Sequence, residues 1–279
     1  MREGAMQPQF IIAEKPLSKP IKVVVIVAHH DDIEFGCSGT IARWVEEGAD
    51  VTYVIITDGG SGSNEPGVIR EELSALREKE QLLASAAVGV SDVRFLGYKD
   101  GSLQPTLELR RDLTRILREV KPDRVICQDP RTVFFGDGYI NHPDHRAAGE
   151  AALYATFPSS ETRPIFPELL DEGYEPHKVS QLWVTLTIEP THYVDISSVF
   201  DKKLDSLRAH ESQLGSGEDA ENGALTFIRE RNAQSGAVVG VDYAEFFKVM
   251  ILQSANEEHR EKDLQASEVP QGHEVHDDK

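Results

Sequence analysis

Residues 23–36, VVVIVAHHDDIEFG, constrain the fold of this chain more than any other stretch. The β-branched run at 23–27 suits a strand buried on both faces of a parallel sheet, and residues 36–40 read as the entry to a helix. His29, His30, Asp31, Asp32 and Glu34 therefore fall at the carboxyl end of a strand, the edge where open α/β sheets bind ligands. Three carboxylates crowded there without a neighbouring Lys or Arg repel one another, and a bound cation relieves that repulsion.

The chain then repeats the alternation. Ser38 is placed to cap a helix ending near Gly48, and residues 50–57 form a second buried strand, which makes a right-handed βαβ unit. A glycine-dense loop at 58–67 follows at the same sheet edge. Helices at 68–87 and 107–120 alternate with strands at 93–96 and 124–128. The pattern predicts an α/β fold with a Rossmann-like, doubly wound, mostly parallel sheet and added C-terminal strands and helices.

After an irregular loop at 129–141, His142 opens a helix reaching about residue 156, with Pro143 suited to its first turn. Residues 158–178 read as loop, 182–186 and 192–196 as strands, 199–214 as helix and 243–252 as a last strand or helix. The domain reading is an N-terminal extension at 1–20, one catalytic domain at 21–252 and a disordered acidic tail at 253–279.

Charge limits the partners. The formal net charge is −19, from 48 acidic and 29 basic residues, which argues against nucleic acid and anionic membrane and for a small molecule. Homo-oligomerisation is left open. No segment approaches the roughly 18 apolar residues of a membrane span, and residues 1–20 make a poor secretory signal. Cys37 and Cys127 lack metal or redox spacing and read as reduced core thiols, so a cytoplasmic location is expected.

Two clusters carry the chemistry: His29, Asp31 and Asp32 after the first strand, and His142, Asp144 and His145 at a helix start. A mononuclear zinc hydrolase takes three His or carboxylate ligands and keeps one position open. His29, Asp32 and His145 supply such a set for one zinc per chain, other divalent metals also being compatible. Asp31 is then free to act as general base, and His142, oriented by Asp144, to stabilise an oxyanion.

Plainer readings compete with these. Asp31 and Asp32 could cap the next helix, and Arg77 and Glu80 could form a surface ion pair. His30 reads as a solvated or hydrogen-bonded turn residue, Cys127 as a structural thiol, and Tyr139 as loop packing or a group swung over the metal.

AHHDDIE and NHPDH, with REKE at 77–80 and FLGYKDG at 95–101 between them, together resemble the PIG-L/LmbE-like zinc N-deacetylases. PTHYVDIS at 190–197, HESQ at 210–213 and YAEFF at 243–247 extend the resemblance to about residues 23–247. It implies zinc on His29, Asp32 and His145, a base at Asp31, a charged His142 paired with Asp144, and Arg77 and Asp100 facing the sugar. It also implies hydrolysis of the N-acetyl group of an N-acetylglucosamine-type amino sugar or its conjugate. One departure is His30, where the family usually has proline. The alternatives are an amidase for larger acyl groups on a glucosaminide, a Rossmann-like nucleotide binder and a metal protein without turnover. The nucleotide binder lacks the glycine-rich turn that a pyrophosphate needs.

Overall fold

The computed structural model describes residues 11–252. The expected tail at 253–279 lies outside the described residues, and with it His259, His273 and His276. In chain order the strands are β1 (Ile12–Ala13), β2 (Lys22–Val27), β3 (Asp50–Thr57), β4 (Asp92–Tyr98), β5 (Arg124–Gln128), β6 (Phe134–Phe135), β7 (Tyr139–Ile140), β8 (Gln181–Thr185), β9 (His192–Asp195) and β10 (Ala244–Ile251). The helices are α1 (Asp32–Gly36), α2 (Ser38–Glu46), α3 (Arg70–Ala87), α4 (Leu107–Val120), α5 (Pro143–Tyr154), α6 (Glu168–Asp171), α7 (Phe200–Arg208), α8 (Glu211–Leu214), α9 (Glu218–Ala220) and α10 (Thr226–Val239).

One eight-stranded sheet runs in the order β1-β9-β10-β8-β5-β2-β3-β4. From β8 to β4 neighbouring strands are parallel, whereas β10 is antiparallel to both β8 and β9. The chain winds outward from β2 to β4, then crosses back to β5 and β8. The strand order therefore reverses between β2 and β5, the point at which an open α/β sheet leaves a crevice.

The β-branched run of β2 explains why it lies at the centre. Val23, Val25 and Val27 pack on one face with Ile33, Trp44 and Leu204, and Val24 and Ile26 pack on the other with Leu113, Leu117 and Ala148. These five residues of β2 are fully buried, each contributing about 1.5–3 kcal/mol relative to exposure. A charge at Val25 would have no solvent on either face and would unfold the sheet.

Several features differ from the sequence expectation. Residues 12–13 of the expected extension pair with β9, so the sheet begins before residue 21. The short helix α1 precedes α2, whose N-cap is Cys37, while Ser38 donates to the Glu34 carbonyl and caps nothing. The expected loop at 129–141 contains the β6–β7 hairpin. The helix expected at 199–214 breaks at Ala209 and His210.

Helix α10 was not foreseen at all. Its buried residues are Ile228, Asn232, Ser235 and Gly236, a helical face made mostly of small and polar groups, so no apolar stripe marks it. Close approach takes the place of bulk there. A Cβ on Gly236 would lie 2.5 Å from the Val241 carbonyl, and Asn232 donates to the Ala244 carbonyl at 2.8 Å.

Candidate active site

The two sequence clusters meet at the crevice. Chain reversal between β2 and α1 brings His29 and Asp32 to the mouth, and the N-terminus of α5 delivers His145 from the β5 side. His145 Nε2 lies 3.1 Å from His29 Nδ1 and 3.0 Å from Asp32 Oδ1, and His29 Nδ1 lies 3.5 Å from Asp32 Oδ2.

The outer nitrogen of each ring is already taken. His145 Nδ1 lies 3.1 Å from Asn141 Oδ1, while His29 Nε2 lies 3.1 Å from Asp100 Oδ1 and 3.4 Å from Asp144 Oδ2. Protons on those outer atoms leave two lone pairs and a carboxylate oxygen facing one another at close range. That arrangement is repulsive unless a positive charge, a metal ion or a proton, sits among them. Tetrahedral ligands on a zinc ion at about 2.0–2.1 Å stand about 3.3 Å apart, which these separations match.

Other donor groupings share His29. Atoms of His29, His142 and His145 gather within 4.8 Å, as do those of His29, Asp100 and Asp144. The first is weaker than the set with Asp32, because His142 Nδ1 already accepts the Asp144 amide at 3.2 Å. The second occupies the far edge of the His29 ring, where carboxylates orient a ligand imidazole. Burial opposes it, but Asp100, Asp144 and Asp32 together hold His29 well above the ordinary histidine range. Burial and His29 act oppositely on Asp100, which is held down at about 2.

Asp31 sits at the N-cap of α1 but makes no side-chain cap bond, so the capping reading fails for it. Its backbone is left-handed, with φ 84°, a conformation costing about 1–2 kcal/mol outside glycine. The Asp32 carboxylate likewise accepts from the His29 amide at 2.7 Å. Burial pushes the Asp31 carboxyl up to about 6, opposed by the Arg77 guanidinium 3.4 Å away.

Two expectations are corrected. The Asp144 carboxylate does not hold His142: it accepts from the Gly101 and Leu103 amides at 2.7 and 3.1 Å, and only its backbone N–H reaches His142. Burial and the neighbouring His29 lower the His142 pKa, so this ring is neutral rather than charged, with its proton on Nε2. Arg77 and Asp100 line the cavity, and both also bond to the protein around them. Arg77 donates to the Gly59 and His30 carbonyls, and Asp100 accepts from Ser61 and faces His29.

Nor is Arg77 in a surface ion pair. It is buried, as is Glu80, which accepts from the Ser212 amide and hydroxyl. His30 is not solvated either. It is fully buried, its ring stacks on Phe95 at 5.4 Å, and neither ring nitrogen has a hydrogen-bond partner among the described residues. Burial, with Arg77 nearby, lowers it to about 3. Cys127 is a buried free thiol, as expected.

A cavity of about 1020 Å³ opens over these groups. His29, Asp31, Asp32, Asp100, His142 and His145 lie at its polar end. Phe35, Phe135, Tyr139, Leu186, Ile188, Phe227, Arg231 and Phe246 also line it, brought by α1, the β6–β7 hairpin, the segment after β8, α10 and β10. Sequence reasoning missed Asn141, Phe227 and Arg231. Only Asn141 carried a signal, its place inside NHPDH.

The fold and this pocket define an α/β protein with a His and carboxylate metal-type site at the switch point. The chain belongs to the PIG-L family, described as GlcNAc-PI de-N-acetylases, which matches residues 24–156. The family comprises hydrolases acting on carbon–nitrogen bonds, typically dependent on a metal. Over 235 residues the chain is 32% identical to the diacetylchitobiose deacetylase of Thermococcus kodakarensis, covering 83% of this chain and 84% of that protein. It is also 32% identical to a probable N-acetyl-alpha-D-glucosaminyl L-malate deacetylase 2 of Bacillus anthracis, covering 69% of this chain and 81% of the relative. The solved N,N'-diacetylchitobiose deacetylase of Pyrococcus horikoshii is similar at a TM-score of 0.76 and 34% identity, over 82% of this chain and 84% of that one.

Proposed function

We propose that the protein is a zinc-dependent deacetylase that hydrolyses the N-acetyl group of an N-acetylglucosamine-type sugar conjugate. The observation that carries this reading is the convergence of His29 Nδ1, Asp32 and His145 Nε2 within 3.0–3.5 Å, beside an Asp31 that caps nothing. Zinc held by those three residues would polarise the acetamide carbonyl and lower the pKa of a water. Asp31 takes the proton of the attacking water as its oxygen bonds the carbonyl carbon. His142, with its proton on Nε2, donates to the developing oxyanion. Asp31 then returns the proton to the nitrogen as the carbon–nitrogen bond breaks, releasing acetate and a free amine.

The relatives' substrates support a glucosamine core, and the cavity's size and aromatic wall support room for an aglycone or second sugar beyond it. Arg77 and Asp100 act from the floor of the sugar site, Asp100 also steadying His29. A cytoplasmic location is supported by two buried free cysteines, and among the described residues no helix is long and apolar enough to cross a membrane. The test is acetate release by zinc-reconstituted protein from N,N'-diacetylchitobiose and a panel of N-acetylglucosamine glycosides, alongside longer N-acyl analogues. Release of acetate is expected. Turnover of longer acyl groups alone would favour the amidase reading, and no turnover of any member would reject both.

A further inference from the structure

We propose that Gln81, aimed by Glu34, is a positioning residue for Asp31, acting with Arg77 to clamp the single peptide bond that precedes it. The inference rests on the reading of Asp31 as the base. Arg77 and Gln81 are one helical turn apart on α3, so their side chains leave the same face of that helix. Arg77 donates to the His30 carbonyl at 2.8 Å, and the Asp31 N–H donates to Gln81 Oε1 at 3.2 Å. Those two backbone groups belong to the same peptide unit. One turn of α3 therefore grips both its ends.

The grip matters because the next residue is strained. Asp31 holds a positive φ that no glycine relieves, and only surrounding contacts can keep it there. Rotation about that φ would swing the carboxylate away from the position that Asp32 and His29 define. Gln81 can offer its oxygen to Asp31 only if its amide is held in one of two orientations. Glu34 sets that orientation, because its Oε1 accepts from Gln81 Nε2 at 3.1 Å. Glu34 is held in turn by His210, whose Nε2 lies 3.3 Å from Oε2. Gln81, Glu34 and His210 are all fully buried, so water does not compete for these bonds.

Substitution separates this role from packing. Gln81→Met keeps the length of the side chain but offers no acceptor. It should speed hydrogen–deuterium exchange at the Asp31 amide and lower kcat on N,N'-diacetylchitobiose by about 10-fold or more, with KM and zinc content unchanged. Gln81→Glu alone sets two carboxyl groups against each other. The double change Glu34→Gln with Gln81→Glu reverses donor and acceptor, keeps an oxygen for the Asp31 N–H, and should recover both the exchange protection and kcat. The exchange measurement reads the clamp without turnover. If the amide responds as described while the unsubstituted protein releases no acetate, the clamp stands and the deacetylase reading fails. Unchanged protection and kcat in Gln81→Met would overturn the proposal, as would parallel losses of zinc, KM and protection throughout the sheet.

Discussion

The floor of the cavity and its outer wall are built on different terms. At the floor, His29, Asp32, Asp100, Asp144 and His145 are mostly enclosed and tied to one another or to backbone amides within 2.7–3.5 Å. The wall is assembled from Ile188, Tyr139 and Phe227, each more than half exposed, on elements that reach the site from distant parts of the sequence. Enclosed polar groups fix geometry because any displacement strands a partner in a medium of low dielectric. Half-exposed apolar groups instead supply area, which tolerates displacement. The floor should therefore govern metal binding and kcat, and the wall KM.

The largest effect expected is at the metal donors. His145→Ala removes one of three ligands, and zinc content measured by elemental analysis should fall sharply, together with all acetate release. A fully zinc-loaded His145→Ala protein would break the assignment of the floor.

Next comes the split between neighbouring carboxylates. Asp31→Asn keeps size and hydrogen bonding but cannot take a proton, so turnover should fall by roughly 10² to 10⁴-fold while zinc stays bound. Asp32→Asn should instead weaken zinc. An Asp31→Asn protein of full activity would remove the base from the mechanism.

A smaller effect belongs to the residues that hold the ligand rings. Asp100→Asn and Asn141→Ala each disturb the partner of an outer ring nitrogen, and zinc affinity should drop by about 10 to 100-fold. Competition with a chelator of known affinity measures it. If both variants hold zinc as tightly as the parent, the far edges of the two rings play no part in orienting them.

The same contrast decides what could be read from the sequence. Metal and acid–base chemistry demands particular residue types, and the two turns that follow β2 and precede α5 place them side by side, so HHDDIE and HPDH stood out. Strand β2 was legible because burial on both faces leaves an unbroken apolar run. Gln81 was not legible, since an amide carries no type signature and its role depends on which partner turns it, and Asn141 was marked only by its place inside NHPDH. The resemblance implies a charged His142 paired with Asp144, two residues away. In the fold that carboxylate turns to the Gly101 and Leu103 amides instead. The wall was least visible: α10 packs through Asn232, Ser235 and Gly236, leaving no apolar period to reveal the helix that carries Phe227.

The smallest effect, and the one that sharpens the comparison most, lies on that wall. Phe227 and Ile188 come from α10 and from the segment after β8, and both line the cavity while remaining partly open to solvent. A ligand that covers roughly 40 Å² of either side chain gains about 1 kcal/mol, or about five-fold in affinity. That contact is equal in the ground and transition states, since it lies away from the scissile bond, so its loss should raise KM and leave kcat alone. Phe227→Ala and Ile188→Ala should each raise KM for N,N'-diacetylchitobiose by about two- to five-fold. On N-acetylglucosamine itself, which has no second sugar to reach the wall, the same variants should match the parent protein. Steady-state kinetics on the two substrates read this directly. A fall in kcat on both sugars would show that the wall shapes the reacting end after all, and the division between floor and wall would have to be given up.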